Sequence, residues 1–170
     1  LHDALPICQM VATAKPDGNT FMSADNAILA YNEHLFTKLP FNPEKDFTYV
    51  GGISRFPLAL VVNPAFEAKT VKEFLAYARA NPGKLSYASP GIGTMQHLYG
   101  ALINKNAKVS MVHVPYKGGA QITTDLLGGH VDSAVLVLST AMPFLKDGSI
   151  KALSISDTVR APALPNVKPI

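Results

Sequence analysis

Short apolar runs rich in β-branched residues alternate with helix-like segments from residue 57 onward. Five of these runs are predicted to be strands: Leu58–Val62, Leu85–Ala88, Val109–Val114, Val131–Leu138 and Ile150–Ile155. Continuous apolar runs of this length are typical of strands that are buried on both faces of a parallel sheet. The alternation therefore predicts an α/β fold with an open, doubly wound, mostly parallel sheet and right-handed helical crossovers.

The segments between these runs predict four helices, at Thr70–Ala80, Thr94–Asn104, Gly119–Leu127 and Thr140–Lys146. The first helix begins with the spacing of a capping box, in which the Thr70 hydroxyl and the Glu73 carboxylate satisfy backbone N–H groups at the helix start. Its apolar residues recur at the spacing of one helix face, which predicts a side that packs against the sheet.

Residues 9–56 carry fewer elements than the rest of the chain. A turn at Asp17–Thr20 leads into a predicted strand at Thr20–Ser23, followed by a helix near Ala27–Leu35 and a second strand around Phe47–Gly51. These elements are too few to close a sheet by themselves. We therefore expect this part of the chain to belong to an incomplete domain.

Both ends of the chain read as the limits of a fragment. Leu1–Ile7 has the sequence that a common short-read sequencing adapter gives when it is translated, and Cys8 would straddle the junction with coding sequence. Residues 1–8 are therefore left out of the fold prediction. The chain stops at Pro169-Ile170 in a proline-rich stretch, so we expect an internal fragment from which the signal peptide is missing.

The composition excludes several classes of protein. The 170 residues are 48% hydrophobic and 16% charged, which argues against intrinsic disorder and against a coiled coil. The longest apolar runs are far shorter than the roughly 20 residues of a membrane-spanning helix, so no direct membrane insertion is predicted. The net charge of +3 is mild and no Lys/Arg cluster is present, so we expect no nucleic-acid partner. The single cysteine excludes an internal disulfide and a cysteine-based zinc site.

Two glycine-containing loops follow predicted strands and lead into predicted helices, and ligands of open α/β sheets bind at that edge. The first loop, Ser89–Thr94, places Gly91 and Gly93 where backbone N–H groups can approach a ligand, beside a helix N-terminus that favours negative charge. It is either an anion cradle or a tight strand-to-helix turn with a simple hydroxyl cap. The second loop, Pro115–Gly119, contains Lys117, which either faces the cleft or is merely solvated.

The charge pattern favours an anionic ligand at these loops. No Asp or Glu occurs between Glu73 and Asp125, whereas five basic residues lie in that interval: Arg79, Lys84, Lys105, Lys108 and Lys117. A field of this sign attracts anions. Simple solvation is the preferred interpretation of Lys105 and Lys108.

Sequence motifs for catalysis, metals and cofactors are missing. A dinucleotide site is not indicated, because Gln96 replaces the third glycine of G-x-G-x-x-G and the acidic residue expected further on is absent. The chain also lacks a G-x-S-x-G elbow, an H-E-x-x-H helix and a P-loop. His97 and His113 are not spaced as a metal pair, and His113, within an apolar strand, is interpreted as a structural residue. We therefore predict no catalytic residue, no metal site and no cofactor.

Several motifs, taken together, resemble one known family. They are Asn81–Ser89, Gly91–Thr94 with His97-Leu98, His113–Ala120 and Thr124–Gly129, together with Pro16–Gly18, Arg160 and Leu164–Val167. In this combination they resemble the receptors of tripartite tricarboxylate transporters, the Bug or TctC-like family. The resemblance covers residues 10–170.

The resemblance implies a periplasmic solute-binding protein built as a clamshell of two α/β domains. Such a receptor captures a small carboxylate or another organic acid in the cleft and delivers it to the membrane subunits of a tripartite tricarboxylate-type transporter, without acting as an enzyme. Residues 55–156 would form one complete domain, and residues 9–54 and 157–170 would be parts of an incomplete one. The implied ligand-binding residues are Ser89, Pro90, Gly91, Gly93, Thr94, His97, Tyr116, Lys117 and Gly118 from the complete domain and Ser23, Ala24, Asp25 and Asn26 from the other.

The chain departs from the family pattern in two respects. The family's first strand and its glycine-rich loop are absent, which implies that the fragment binds ligand poorly or not at all. The run Val131–Leu138 ends in apolar residues where relatives carry polar ones, so this corner either suits a less polar acid, such as an aromatic one, or packs the hinge side. Two other functions stay open: an enzyme that acts on a phosphorylated or acidic small molecule with His97 as its base, and the sensory domain of a transcriptional regulator.

Overall fold

The computed structural model describes residues 5–169, which divide into two compact units. Unit 1 comprises residues 5–53 together with Gly93–Met95, and unit 2 comprises Ser54–Ile92 together with residues 96–169. Residues 157–169 thus group with unit 2 in this structure. The expected domain boundaries of the longer protein, with 157–170 assigned beside 9–54, stay a prediction.

Unit 1 is helical and irregular. It contains helix α1 (Leu5–Ala12), a π-helical turn at Ala27–Tyr31 and, directly after that turn, helix α2 (Asn32–Leu35). Cys8, Ile28 and Phe41 are buried together and form its small apolar cluster. Residues 1–4 of the segment interpreted as a sequencing adapter lie outside the described residues, and the adapter origin of residues 1–8 stays a prediction.

The helix predicted near Ala27–Leu35 is confirmed, whereas the strands predicted at Thr20–Ser23 and around Phe47–Gly51 are wrong. Both stretches are described without strand pairing. A strand exists only where a neighbouring strand accepts and donates its backbone hydrogen bonds. The described part of unit 1 offers neither stretch such a partner.

Unit 2 contains all five predicted strands, in a single sheet. They are β1 (Leu58–Val62), β2 (Ser86–Ser89), β3 (Val112–Pro115), β4 (Ser133–Val137) and β5 (Lys151–Ile155), in the spatial order β3-β2-β4-β1-β5. The four predicted helices also form, as α3 (Val71–Ala80), α4 (Met95–Ala107), α5 (Gly119–Leu127) and α6 (Leu138–Lys146). Among residues 5–169, no helix is both long and apolar enough to cross a membrane.

The sheet is mostly parallel, as expected, and β1 is the strand that departs from the common direction. Strand β2 is parallel to β3 and to β4, but β1 is antiparallel to both of its neighbours, β4 and β5. Four strands therefore run one way, and β1, which lies between β4 and β5, runs the other way. All five residues of β1 are buried, and an apolar run buried on both faces looks the same in either direction.

Local side-chain hydrogen bonds explain where several elements begin and end. At the start of α3 the Thr70 hydroxyl accepts a hydrogen bond from the backbone of Glu73 at 3.2 Å, and the Glu73 carboxylate accepts one from the backbone of Lys69 at 2.7 Å. The predicted cap is confirmed, but the carboxylate reaches one residue further back than expected. Strand β3 begins later than predicted, because the Asn104 amide binds both backbone groups of Met111, each at 3.0 Å.

The main hydrophobic core lies between the sheet and helices α5 and α6. Ala59 and Val61 of β1 pack there with Ala134 and Leu136 of β4, and the helices contribute buried residues that include Ile122, Leu126 and Ala141. Helix α3 buries Phe74 completely. Because the central strands are covered on both faces, the side chains at the strand ends are what the sheet presents for recognition.

Candidate functional site

The carboxyl ends of β2, β3 and β4 share one edge of the sheet, since these three strands are parallel. Each of them leads through a short loop, or directly, into a helix: β2 into α4, β3 into α5 and β4 into α6. The two loops singled out from the sequence touch, because the backbone N–H of Tyr116 donates to the carbonyl oxygen of Ser89 at 2.9 Å. The starts of the two loops are therefore adjacent.

The loop after β2 depends on its glycines. Gly91 has a φ of 146° and Gly93 a φ of 81°, a region that side-chain-bearing residues rarely adopt. Ser89 is fully buried, and its hydroxyl oxygen accepts from the backbone of Gly91 at 3.3 Å and lies 3.1 Å from the carbonyl oxygen of the same residue. Pro90 is half-buried, and Thr94 directly precedes the first residue of α4. The buried Ser89 side chain thus stabilises the turn through its contacts with the backbone of Gly91.

A serine and two histidines lie together beneath this loop. The Ser89 hydroxyl oxygen is 2.7 Å from Nε2 of His113. The His113 ring stacks on the His97 ring, with 4.2 Å between the ring centroids. It also contacts the Tyr87 ring, with 4.9 Å between the centroids. The register of the parallel pair, with Tyr87 opposite His113, places these residues on one face.

Burial keeps both imidazoles neutral at neutral pH. It lowers the pKa of His113 to about 4, with the nearby His97 ring contributing in the same direction. Burial also lowers the pKa of His97. The cluster therefore presents hydrogen-bonding dipoles rather than a fixed positive charge.

Sequence reasoning treated His113 as structural and missed its place at the site. The interpretation is correct in that His113 Nε2 has a hydrogen-bonding partner, but that partner is a residue of the predicted binding loop. The available signal was its position two residues before the end of β3. Without the register between β2 and β3, that position does not indicate which loop the ring contacts.

The loop after β3 is less open to a ligand than the sequence suggested. The Tyr116 hydroxyl donates to the Asp125 carboxylate at 2.7 Å, and burial together with this carboxylate raises the pKa of Tyr116 to about 12. Asp125, the residue that ends the acid-free interval of the sequence, therefore lies at this loop in the folded structure. Lys117 is exposed, and Gly118, with a φ of 153°, precedes α5 without a side-chain cap.

The helix starts at this edge suit a negatively charged group. None of the helices α4, α5 and α6 has an acidic residue in its first turn. The helix dipole gives each start a partial positive charge. With Gly118 as the residue before α5, the backbone can come close to a ligand at that point.

The remaining predicted residues, Ser23 to Asn26, belong to unit 1. Ser23, Asp25 and Asn26 are exposed, and Ala24 packs against the apolar cluster of that unit. The Asp25 carboxylate accepts a hydrogen bond from the backbone of Ile28 at 3.2 Å and so supports the start of the π-helical turn. Their role in ligand binding stays a prediction.

The apolar end of β4 contributes to packing. Leu136 and Leu138 both belong to the main hydrophobic core. That this corner packs the hinge side stays a prediction. The backbone of Leu138 donates to the carbonyl oxygen of Pro57 at 2.8 Å and thereby ties the start of α6 to the chain that enters β1. The preference for a less polar acid is not supported by these residues.

The geometry does not provide an accessible nucleophile at the Ser89–His113 pair. A serine and a histidine 2.7 Å apart have the separation of a catalytic dyad. The Ser89 side chain, however, is fully buried, so a substrate cannot reach its oxygen. Within residues 5–169, no group of three or more His, Cys, Asp or Glu side chains is arranged to hold a metal ion.

Solved structures similar to this chain include a periplasmic transporter, 33% identical with a TM-score of 0.87, and the periplasmic binding protein BugD, 27% identical with a TM-score of 0.84. The fold is therefore that of a periplasmic binding protein. The chain belongs to the tripartite tricarboxylate transporter receptor family, whose family model matches residues 4–170. The resemblance seen in the sequence is thereby confirmed.

Three relatives illustrate the match. The Cupriavidus necator protein known as "UPF0065 protein in gbd 5'region" is 36% identical over 163 residues, which are 94% of this chain and 49% of that protein. An R. palustris protein solved with adipate is 31% identical with a TM-score of 0.88, over 98% of this chain and 56% of the other. MatC from Rhodopseudomonas palustris with bound malate is 30% identical with a TM-score of 0.83, over 97% and 56%. The chain thus spans about half the length of the relatives that it matches.

Proposed function

We propose that the protein is a periplasmic receptor that binds a small organic acid through the loops after β2 and β3 and delivers it to a tripartite tricarboxylate-type transporter. The observation that carries the proposal is the junction of these two loops, where Tyr116 donates to Ser89 beside two helix starts that lack acidic residues. Adipate and malate in two related structures indicate dicarboxylates as the first ligands to test.

Binding in this proposal involves no covalent chemistry. Carboxylate oxygens would accept hydrogen bonds from loop N–H groups and hydroxyls, either directly or through ordered water. A hydrogen bond to a charged group contributes about 1.5–3 kcal/mol. A few such bonds, less the cost of ordering the ligand, are compatible with micromolar affinity, which corresponds to about 8 kcal/mol.

Isothermal titration calorimetry on the protein that carries residues 9–170 tests the proposal. Malate, adipate, citrate and benzoate should be titrated separately, with sodium chloride as the control for general ionic effects. We expect one or more acids to bind, and a ligand at about 100 times its Kd should stabilise the fold by about 2.7 kcal/mol. No heat and no thermal shift with any organic anion would refute the receptor assignment.

A matched pair of glycine variants tests whether the loop after β3 is the site. Gly118 and Gly148 both have a positive φ, 153° and 78°, and a side chain at either would meet only open space. Alanine therefore strains the backbone at both positions without a clash. We expect Gly118→Ala to weaken the binding of the acid and Gly148→Ala, in the turn after α6, to leave its Kd unchanged. Equal effects of the two variants would contradict this placement.

A turnover assay separates the receptor from an enzyme. After prolonged incubation with the bound acid, nuclear magnetic resonance spectra of the ligand should be unchanged. A product whose formation is lost in His97→Ala, with ligand affinity retained, would favour the enzyme instead. The His97 ring lies within the stacked cluster beneath the binding loop.

A further inference from the structure

The most connected group of side chains near the proposed site is the stack of Tyr87, His113 and His97 beneath the loop after β2. His113 contacts both of the other rings, at 4.9 Å and 4.2 Å between centroids. Tyr87 is 2% exposed, and its hydroxyl donates to the backbone carbonyl of His97 at 3.4 Å. The imidazole of His113 is therefore held in one orientation from two sides.

The only ring atom of His113 with a described hydrogen-bonding contact is Nε2, which lies 2.7 Å from the Ser89 hydroxyl. This is the shortest of the contacts described for that hydroxyl; the other two, to the backbone N–H and the carbonyl oxygen of Gly91, are 3.3 Å and 3.1 Å. A side chain with one proton and two lone pairs is oriented chiefly by its strongest partner. His113 thus sets the orientation of the Ser89 hydroxyl relative to the backbone of Gly91.

We propose that His113 is a positioning residue of the receptor: through the Ser89 hydroxyl it holds the Gly91 turn in the shape that binds the carboxylate. The inference rests on the proposed function and assigns to one residue the pre-organisation of that loop. Gly91 has a φ of 146°, a backbone conformation that residues with side chains rarely adopt. A loop that is already in its bound shape loses less conformational entropy when the ligand binds.

This role differs from direct contact with the ligand. His113 lies in β3, and its link to the loop passes through Ser89, which is itself completely buried. Removal of the histidine should therefore act only when Ser89 is present to transmit the effect. The two residues should behave as one unit in ligand binding, and this coupling can be measured.

The test uses four variants of the protein that carries residues 9–170. Calorimetry measures their affinity for whichever of malate and adipate binds the wild type. His113→Phe keeps a ring for the stack but removes the hydrogen bond, and Ser89→Ala removes it from the other side. His113→Gln places an amide near the position of Nε2. The fourth variant combines Ser89→Ala with His113→Phe. His130→Phe, at an exposed histidine between α5 and β4, serves as the control.

We expect His113→Phe and Ser89→Ala each to weaken binding about 5- to 10-fold, since one net hydrogen bond is lost and 1.4 kcal/mol corresponds to a factor of 10. The double variant should be no weaker than either single one. His113→Gln should stay within about 3-fold of the wild type, and His130→Phe should not change the Kd.

Each other result has a defined meaning. Additive losses in the double variant, an unchanged Kd in His113→Phe, or equal losses in His113→Gln and His113→Phe would overturn the positioning role. Melting temperatures recorded for all variants separate these effects from unfolding, and Ser89→Ala gives an independent reading if a His113 variant does not fold. A wild type that binds neither malate nor adipate nor any other acid of the panel would instead refute the proposed function itself.

Discussion

Gly100 is the position where one added methyl group is expected to disturb the structure most. It is buried in α4, against the ring of Tyr87. A Cβ at this position would lie 2.5 Å from Cδ2 and 2.6 Å from Cζ of Tyr87, well inside the roughly 3.0 Å below which such contacts essentially do not occur. The ring cannot swing into solvent, because Tyr87 is 2% exposed and packs against His113.

The size of the effect follows from two opposing contributions. Overpacking a core costs about 1–3 kcal/mol, and contact with three atoms of a buried ring places this site in the upper half of that range. Alanine in place of glycine within a helix stabilises by about 1 kcal/mol. We therefore expect Gly100→Ala to lower the free energy of unfolding by about 1–2 kcal/mol and the melting temperature by about 2–8 °C.

Urea denaturation followed by circular dichroism measures this change. Gly119→Ala is the control, because its Cβ would meet only Thr140 Cγ2 at 3.6 Å, an ordinary contact, and its stability should stay within about 0.5 kcal/mol of the wild type. Combining Gly100→Ala with Tyr87→Leu should cost less than the sum of the single changes, because the smaller side chain relieves the clash. An unchanged stability of Gly100→Ala, or strictly additive costs, would show that the close approach of α4 to β2 is wrong.

Three further predictions concern polar contacts of unit 2. The pKa of His113 is lowered to about 4 in the folded protein. The unfolded chain therefore protonates this histidine at a higher pH than the folded protein does. Stability should fall as the pH drops from about 6.5 towards 4, less so in His113→Phe, in melts across that range. The Tyr116 pKa of about 12 should make stability fall as the pH rises from about 10 to 12, and this loss should be absent in Tyr116→Phe. If ultraviolet absorbance shows the Tyr116 phenol titrating at the ordinary pKa of tyrosine, this prediction is wrong. Asp132→Asn should cost about 1–3 kcal/mol in urea unfolding, because the carboxylate accepts from the backbone and hydroxyl of Ser86 at 2.8 and 2.7 Å, and Ser86→Ala should cost less.

The regular elements of unit 2 were predictable because their signals are local. An apolar run such as Leu58–Val62 and a cap such as Thr70 with Glu73 each depend on residues within a few positions of one another. The strands predicted at Thr20–Ser23 and Phe47–Gly51 failed for the complementary reason. Strand formation depends on a pairing partner, and no local pattern states whether one is present.

The site shows the same division. Its glycine loops were visible because Gly91 and Gly93 stand next to a strand end, and their positive φ values explain why glycine is needed there. In the sequence, Asp125 only marks the end of an interval without acidic residues. In the structure, its carboxylate accepts a hydrogen bond from Tyr116 at the second loop. A separation along the chain is a poor guide to distance once a helix folds back on the strand before it.

The sequence alone therefore determined the order of strands and helices, the two loops and the family to which the chain belongs. Only the tertiary structure decided the reversed direction of β1 and the meeting of Ser89, His113 and His97. The physical reason is that burial and turn chemistry are properties of neighbouring residues. Strand direction and register are settled instead by hydrogen bonds between segments far apart in the chain, and these bonds place His113 beside Tyr87 and within reach of Ser89.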